Sequence, residues 1–193
     1  MVKRIAVIGP HATGKSSLIY SYLQKPWSDS YISTICGDAY KDKHGNIIWD
    51  SPGQSRFHSR FANDKQSIYK QASGFILTFN PSDDESFFNA LAIADEANVN
   101  EKPIVIAATY SDIEAFNIKP TWSAEASVRG WKIIRTSAKN KIGVTHIFQE
   151  IFNQTTESDN IDIGRIEYAK EVVGSCIYSG FSNYIYELDT TNS

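Results

Sequence analysis

Residues 5–18 read IAVIGPHATGKSSL: an aliphatic run ends at Gly9, and an apolar helical pattern resumes beyond Lys15. Between them, Gly9-Pro-His-Ala-Thr-Gly14-Lys15-Ser16 fits Gly-x-x-x-x-Gly-Lys-[Ser/Thr] in the strand, loop, helix context that gives this pattern its meaning. Backbone N–H groups around Ala12, Thr13, Gly14, Lys15, Ser16 and Ser17 would wrap phosphates at a helix N-terminus. Lys15 would meet the outer phosphates as a point charge, and the Ser16 hydroxyl would bind Mg²⁺. A chance Gly-containing turn before a lysine would lack the buried strand exit and the apolar helical face on either side.

The rest of the chain sets bounds around that loop. Its 193 residues are enough for one domain with a proper core, and 41% hydrophobic with 21% charged residues is an ordinary globular composition. A net charge of −3 gives no support to a sequence-blind nucleic-acid binder. Cys36 and Cys176 have neither metal-ligand nor redox spacing, so a reducing compartment without disulfides is expected. No apolar stretch approaches the ~20 residues of a membrane span. Residue 2 is Val and the end reads ELDTTNS, so no myristoylation or prenylation signal is visible. The expectation is a cytoplasmic monomer whose membrane association comes through a partner or a region outside this chain.

Ile5–Ile8, Phe75–Phe79, Ile104–Ala108 and Trp131–Ile134 are continuous apolar runs suited to strands buried on both faces. Helical patterns lie between them: Leu18, Ile19, Tyr22 and Leu23, then Phe87, Phe88, Leu91 and Ala92. Ser82-Asp83-Asp84-Glu85 reads as a capping box for the second. Val144, Ile147, Phe148, Ile151 and Phe152 line one face of a last helix. Residues 36–50 suggest a hairpin turning at His44-Gly45-Asn46, adding an antiparallel edge. The predicted fold is therefore α/β: a mostly parallel, doubly wound sheet with one antiparallel edge strand, helices on both faces, and ligand sites beyond the strand C-termini.

A phosphate loop alone suits ATPases, kinases and GTPases alike, so a second element decides the class. Residues 47–57, IIWDSPGQSRF, end a short strand at Asp50, where a carboxylate can hold the water shell of magnesium. The Gly53 N–H can meet a γ-phosphate, and the Gln54 amide can orient an attacking water. With these residues in place the chain resembles a Ras-superfamily small GTPase, specifically a Rab-like one. SYISTI (30–35) resembles switch I, WDSPGQSRF (49–57) switch II, and RTSAKN (135–140) the guanine-proximal loop. The resemblance covers roughly the first four fifths of the chain. It implies a P-loop NTPase G domain over residues 1–154, GDP and GTP as ligands with Mg²⁺, and Thr34 as a ligand of both Mg²⁺ and the γ-phosphate. It further implies vesicle trafficking, with regulators and effectors meeting residues 28–40 and 50–70.

Within the family, the strand at 104–108 leads into Asn-Lys-x-Asp; here it leads into Thr109-Tyr110-Ser111-Asp112. Asp112 keeps the acceptor pair that guanine N1 and N2 need, and adenine would leave that carboxylate unpaired. The resemblance assigns Ser137, Ala138 and Lys139 to the same base, with the Ala138 N–H on O6 and Lys139 covering the ring. Thr109 can replace only part of the family asparagine's hydrogen bonding. Tyr110 replaces a lysine that bonds the phosphate loop; it could stack on the base instead, with Trp27 on the other side, for ~1–3 kcal/mol. The alternative is that Trp27 and Tyr110 are partly buried packing residues.

Two further departures point to slow hydrolysis in a family whose intrinsic rate is already on the order of 10⁻⁴ s⁻¹. His11 stands beside the γ-phosphate position where a small residue is usual, and Pro52 stiffens switch II by fixing φ. The alternative for His11 is a solvated side chain without a role. The Cys36–Asp50 hairpin is shorter than the family's, Ser55–Tyr69 is long, and Arg56, Arg60 and Lys65 read as a solvated face. Residues 155–193 form an atypical tail with Ile166, Tyr168, Val172, Ile177, Tyr178, Phe181, Tyr184 and Tyr186, enough apolar surface to dock on the G domain or to lead into a further region. Against the switch stand two rivals: a nucleotide-binding scaffold with little or no hydrolysis, and an ATP-dependent kinase that Asp112 disfavours.

Overall fold

The computed structural model describes residues 2–28, 37–53, 67–97, 102–114 and 116–155. Six strands form one sheet: β1 (Arg4–Ile8), β2 (Asp38–Lys41), β3 (Ile47–Asp50), β4 (Gly74–Phe79), β5 (Ile104–Ala108) and β6 (Lys132–Arg135). Among the described residues four whole helices are interleaved, α1 (Lys15–Tyr22), α2 (Asp84–Glu96), α3 (Pro120–Val128) and α4 (Val144–Gln154), and residues 67–71 are helical as well. The order across the sheet is β2-β3-β1-β4-β5-β6, and every pairing is parallel except β2 with β3. After β1 the chain builds out to one side through β3 and then returns to the other through β4. That reversal places a crevice beyond the C-terminus of β1, where the Gly9–Gly14 loop lies.

Strand periodicity distributes the core. Ile5 and Val7 point to one face, where they meet Leu18 and Ile19 of α1 and Ile147, Phe148 and Ile151 of α4. Ala6 and Ile8 point to the other, against Phe87, Leu91 and Ala94 of α2 and Trp122 of α3. Helices therefore cover both faces, which is why β1, β4 and β5 can be apolar apart from Arg4 and Thr78. On the α2 side, Phe87 stacks on Trp122 with centroids 5.5 Å apart and Phe79 meets Trp122 edge-on at 5.4 Å. These contacts fix the end of β4 beside the site.

Several local readings need correction. The N-cap of α2 is Asp83, whose side chain accepts from the Glu85 N–H at 3.1 Å, one residue beyond the Ser82 expected from the capping box. Asn80 accounts for the shift: its Oδ1 accepts from the Ser82 N–H at 3.1 Å, which ties Ser82 into the preceding turn. Phe88 is 59% exposed, on the outer face of α2. The last strand is not buried on both faces: β6 is an edge strand in which Ile134 alone is buried, and Trp131 lies outside it under the Arg129 guanidinium. Helix α3 was not anticipated, because Trp122 and Ala126 are its only buried residues and its remaining face is polar or exposed. The predicted hairpin is present, and Asp42 organises its turn by accepting from the His44 and Asn46 N–H groups at 2.8 and 2.9 Å.

One glycine governs the loop before α4. Gly143, at φ 67°, is the N-cap of α4, and a Cβ there would overlap the Arg135 carbonyl oxygen. Gly143→Ala is expected to lower stability by at least about 3 kcal/mol, since left-handed strain and a backbone clash add. Urea unfolding measures this; a loss below about 1 kcal/mol would show that the loop shifts freely.

Candidate functional site

Gly14, at φ 76°, is the N-cap of α1 with no side-chain cap, so the first N–H groups of the helix open toward the loop without competition. Lys15 follows at the first helical position and is buried, with Nζ donating to the Gly9 and Pro10 carbonyls at 3.0 and 2.6 Å. Burial pushes its pKa down from 10.5 to about 8, against the opposing pull of Asp50. Ser16 Oγ donates to Asp50 Oδ2 at 2.5 Å, joining the start of α1 to the end of β3. Asp50 is fully buried, and the chain then turns through Ser51, whose hydroxyl donates to Val7 O at 2.9 Å. A Cβ on Gly53 would stand 2.5 Å from Lys15 Nζ and 2.9 Å from both Pro10 O and His11 Cα. Only glycine permits that approach of the third chain segment to the loop.

The second half of the site lies beyond β5 and β6. Thr109 is buried, and its hydroxyl donates to Phe79 O at 2.7 Å. Tyr110 has a left-handed φ of 57°, uncommon for a bulky residue, and its phenol donates to Ala12 O at 2.9 Å. The ring thus spans from this loop to the phosphate loop. Asp112 is at the surface, with Oδ1 accepting from Ser137 Oγ at 2.6 Å; Ser137 Oγ in turn accepts from the Asn140 N–H at 3.0 Å. Ser21 of α1 donates to the Ala138 carbonyl at 2.9 Å. A cleft running from Gly14 is lined by Trp27, Tyr110, Asp112, Ala138 and Lys139. Trp27 is 45% exposed, so it is partly covered while lining this cleft.

The sequence has relatives among known proteins. A family model described as the Ras family matches residues 4–157. The chain is a Rab-like member of the Ras family of small GTPases. Among its curated relatives is the Ras-related protein Rab-1D of Dictyostelium discoideum, 30% identical over 186 residues, with 83% of this chain and 87% of that protein covered. The GTP-binding protein YPTM2 of Zea mays is 32% identical over 161 residues, covering 75% of each chain. The Ypt/Rab-type GTPase YPT7 of Saccharomyces cerevisiae is 28% identical over 185 residues, covering 86% and 87%.

For a Rab-like GTPase, several of the residues singled out in the sequence converge here. Ala12 to Ser17, Asp50 and Gly53 surround one end of the crevice, and Trp27, Thr109, Tyr110, Asp112, Ser137, Ala138 and Lys139 the other. Thr34, Gln54, Arg56, Arg60 and Lys65, both cysteines and the tail from 156 lie outside the described residues, as do most of 28–40 and 50–70. No described helix is long and apolar enough to cross a membrane. The motif reading missed Thr78, Phe79 and Ser21, which fasten the loops from below. A threonine inside the otherwise apolar FILTF run was the one visible signal.

Proposed function

We propose that this Rab-like GTPase is a guanine-nucleotide switch that binds GDP and GTP with Mg²⁺ and hydrolyses GTP slowly. It would act in vesicle trafficking through protein regulators and effectors. The observation that carries this reading is the meeting of Gly53 with Lys15 and the Pro10 carbonyl. A phosphate on Lys15 lies within reach of the Gly53 backbone, so the number of phosphates present can be felt by the segment that follows. Lys15 and the α1 N-terminus hold the phosphates. Asp112 takes guanine N1 and N2, with Ala138 and Lys139 beside the ring and Trp27 and Tyr110 on its faces. Gln54 places the water, and Thr34 changes partners with the γ-phosphate.

The donor set fits magnesium. Ser16 Oγ and the Asp50 carboxylate form an all-oxygen pair beside Lys15, and no cluster of three His, Cys, Asp or Glu side chains exists among the described residues. A hard ion held by few protein ligands and by phosphate oxygens suits that pair. Bound there with Thr34, the ion would neutralise charge on the β- and γ-phosphates. His11 is exposed on the loop and Pro52 stiffens the approach to Gly53, and both favour slow turnover.

The deciding experiment titrates nucleotide-stripped protein with fluorescent GDP and GTP in Mg²⁺, with ATP and GTP as competitors and phosphate release followed on the same samples. Displacement by GTP but not ATP is expected, with turnover at or below the order of 10⁻⁴ s⁻¹. Tight binding without phosphate release would favour the scaffold reading. Equal displacement by ATP would overturn the assignment of the base to Asp112.

A further inference from the structure

Both halves of the site are fastened from beneath by the last two residues of β4. Thr109, in the base loop, donates to the Phe79 carbonyl at 2.7 Å. Thr13, in the phosphate loop, meets Thr78 hydroxyl to hydroxyl at 2.6 Å. Thr78 is fully buried and Thr13 is 1% exposed, so neither hydroxyl has water as an alternative partner. Thr13 Oγ1 also reaches Pro10 O at 2.9 Å, and Thr78 Oγ1 reaches Ile8 O at 3.2 Å. A Cβ on Gly9 would overlap the Thr78 carbonyl and hydroxyl, so the loop rests directly on this side chain.

Each hydroxyl has one hydrogen to donate. The reverse order, with Thr13 donating to Thr78 and Thr78 to the Ile8 carbonyl, uses the longer 3.2 Å contact; the shorter contacts, 2.6 and 2.9 Å, have Thr78 donate to Thr13 and Thr13 to the Pro10 carbonyl. That carbonyl is the group Lys15 Nζ contacts at 2.6 Å and beside which Gly53 passes. Thr78 is therefore linked through two hydrogen bonds to the atom where the lysine and the third segment meet. Thr78 is not among the phosphate-facing positions: like Ile76 two residues before it, it points to the α1 face of the sheet, beneath the loop.

We infer that Thr78, paired with the Thr13 hydroxyl, is a positioning residue for nucleotide binding: it sets the Pro10 carbonyl and with it the resting place of Lys15. The inference rests on the phosphate-loop reading above. Its physical basis is that a buried hydroxyl pair without competing water fixes a loop in one arrangement, and small displacements of a phosphate-binding loop cost affinity steeply.

Valine and serine separate positioning from packing. Thr78→Val and Thr13→Val keep the branched shape and lose the hydroxyl, whereas Thr78→Ser and Thr13→Ser keep the hydroxyl and lose a buried methyl. Affinity for fluorescent GDP in Mg²⁺ and the melting temperature of the nucleotide-free protein are measured on all four variants, wild type and Lys15→Ala. The expected result is a crossing. The valine variants bind GDP about tenfold more weakly than wild type, the loss of about one hydrogen bond. Thr78→Ser binds within about twofold of wild type although it melts several degrees lower. Affinity that simply follows melting temperature, or valine variants that bind like wild type, would overturn the inference while leaving the phosphate site intact, provided Lys15→Ala fails to bind. Normal binding by Lys15→Ala would remove the site reading and this inference together.

Discussion

Lys15→Met is expected to raise the dissociation constants for GDP and GTP by about a thousandfold, as befits the loss of two charge-assisted contacts to phosphate. Methionine keeps the unbranched stem, so the packing around the start of α1 is retained and only the ammonium is removed. The nucleotide-free protein should not lose stability. Burial has already pulled this ammonium from 10.5 to about 8, which means that the fold disfavours its charge. The two carbonyls it leaves behind, Gly9 O and Pro10 O, are not both stranded, since Thr13 Oγ1 donates to Pro10 O at 2.9 Å. Isothermal titration and thermal melting of stripped protein read the two effects separately. A variant that binds normally would remove Lys15 from the phosphate site. One that binds weakly and also melts far lower would make the lysine a structural residue.

Asp112→Asn should lower GTP affinity by about a thousandfold and reduce the preference for GTP over ATP by a similar factor. Ser137 Oγ accepts from the Asn140 N–H, so its own hydrogen must go to an acceptor, and Oδ1 of residue 112 is that acceptor. In the asparagine variant this contact orients the amide. Its oxygen stays on Ser137 and its NH₂ replaces the carboxylate oxygen offered to the base. Guanine would then present donors to a donor. Because the Ser137 contact survives, the melting temperature should change little, and lost affinity cannot be ascribed to a collapsed loop. Competition of ATP and GTP against a fluorescent guanine nucleotide measures the ratio. An unchanged ratio would mean that Asp112 does not read the base.

Tyr110 shows how far the base loop could be understood before its fold was known. Loss of the lysine from this loop suggested that its bond to the phosphate loop was gone, with stacking as partial compensation. The phenol instead donates to Ala12 O, so the bond between the loops persists without a charge. The left-handed backbone at Tyr110 is what aims the ring, and a non-glycine residue there costs about 1–2 kcal/mol unless the surroundings hold it. Thr109 followed a similar course. It was expected to do part of an asparagine's work, and its hydroxyl in fact goes to the end of β4.

What the sequence determined by itself was most of what contiguous residues carry. The Gly9–Ser16 loop, the apolar runs of β1, β4 and β5, the hairpin and the apolar face of α4 all follow from near-neighbour spacing, where local geometry leaves few choices. The α/β order followed from their alternation. Tertiary structure alone decided which distant groups meet: Tyr110 with Ala12 across 98 residues, Thr13 with Thr78 across 65, Ser16 with Asp50 across 34. Those pairs are set by the parallel register of β1 against β3 and β4 and of β4 against β5, a property of the assembled sheet that no local spacing contains. Helix α3 belongs with them, because a mostly polar segment becomes a helix only where Trp122 finds Phe79 and Phe87 to cover it.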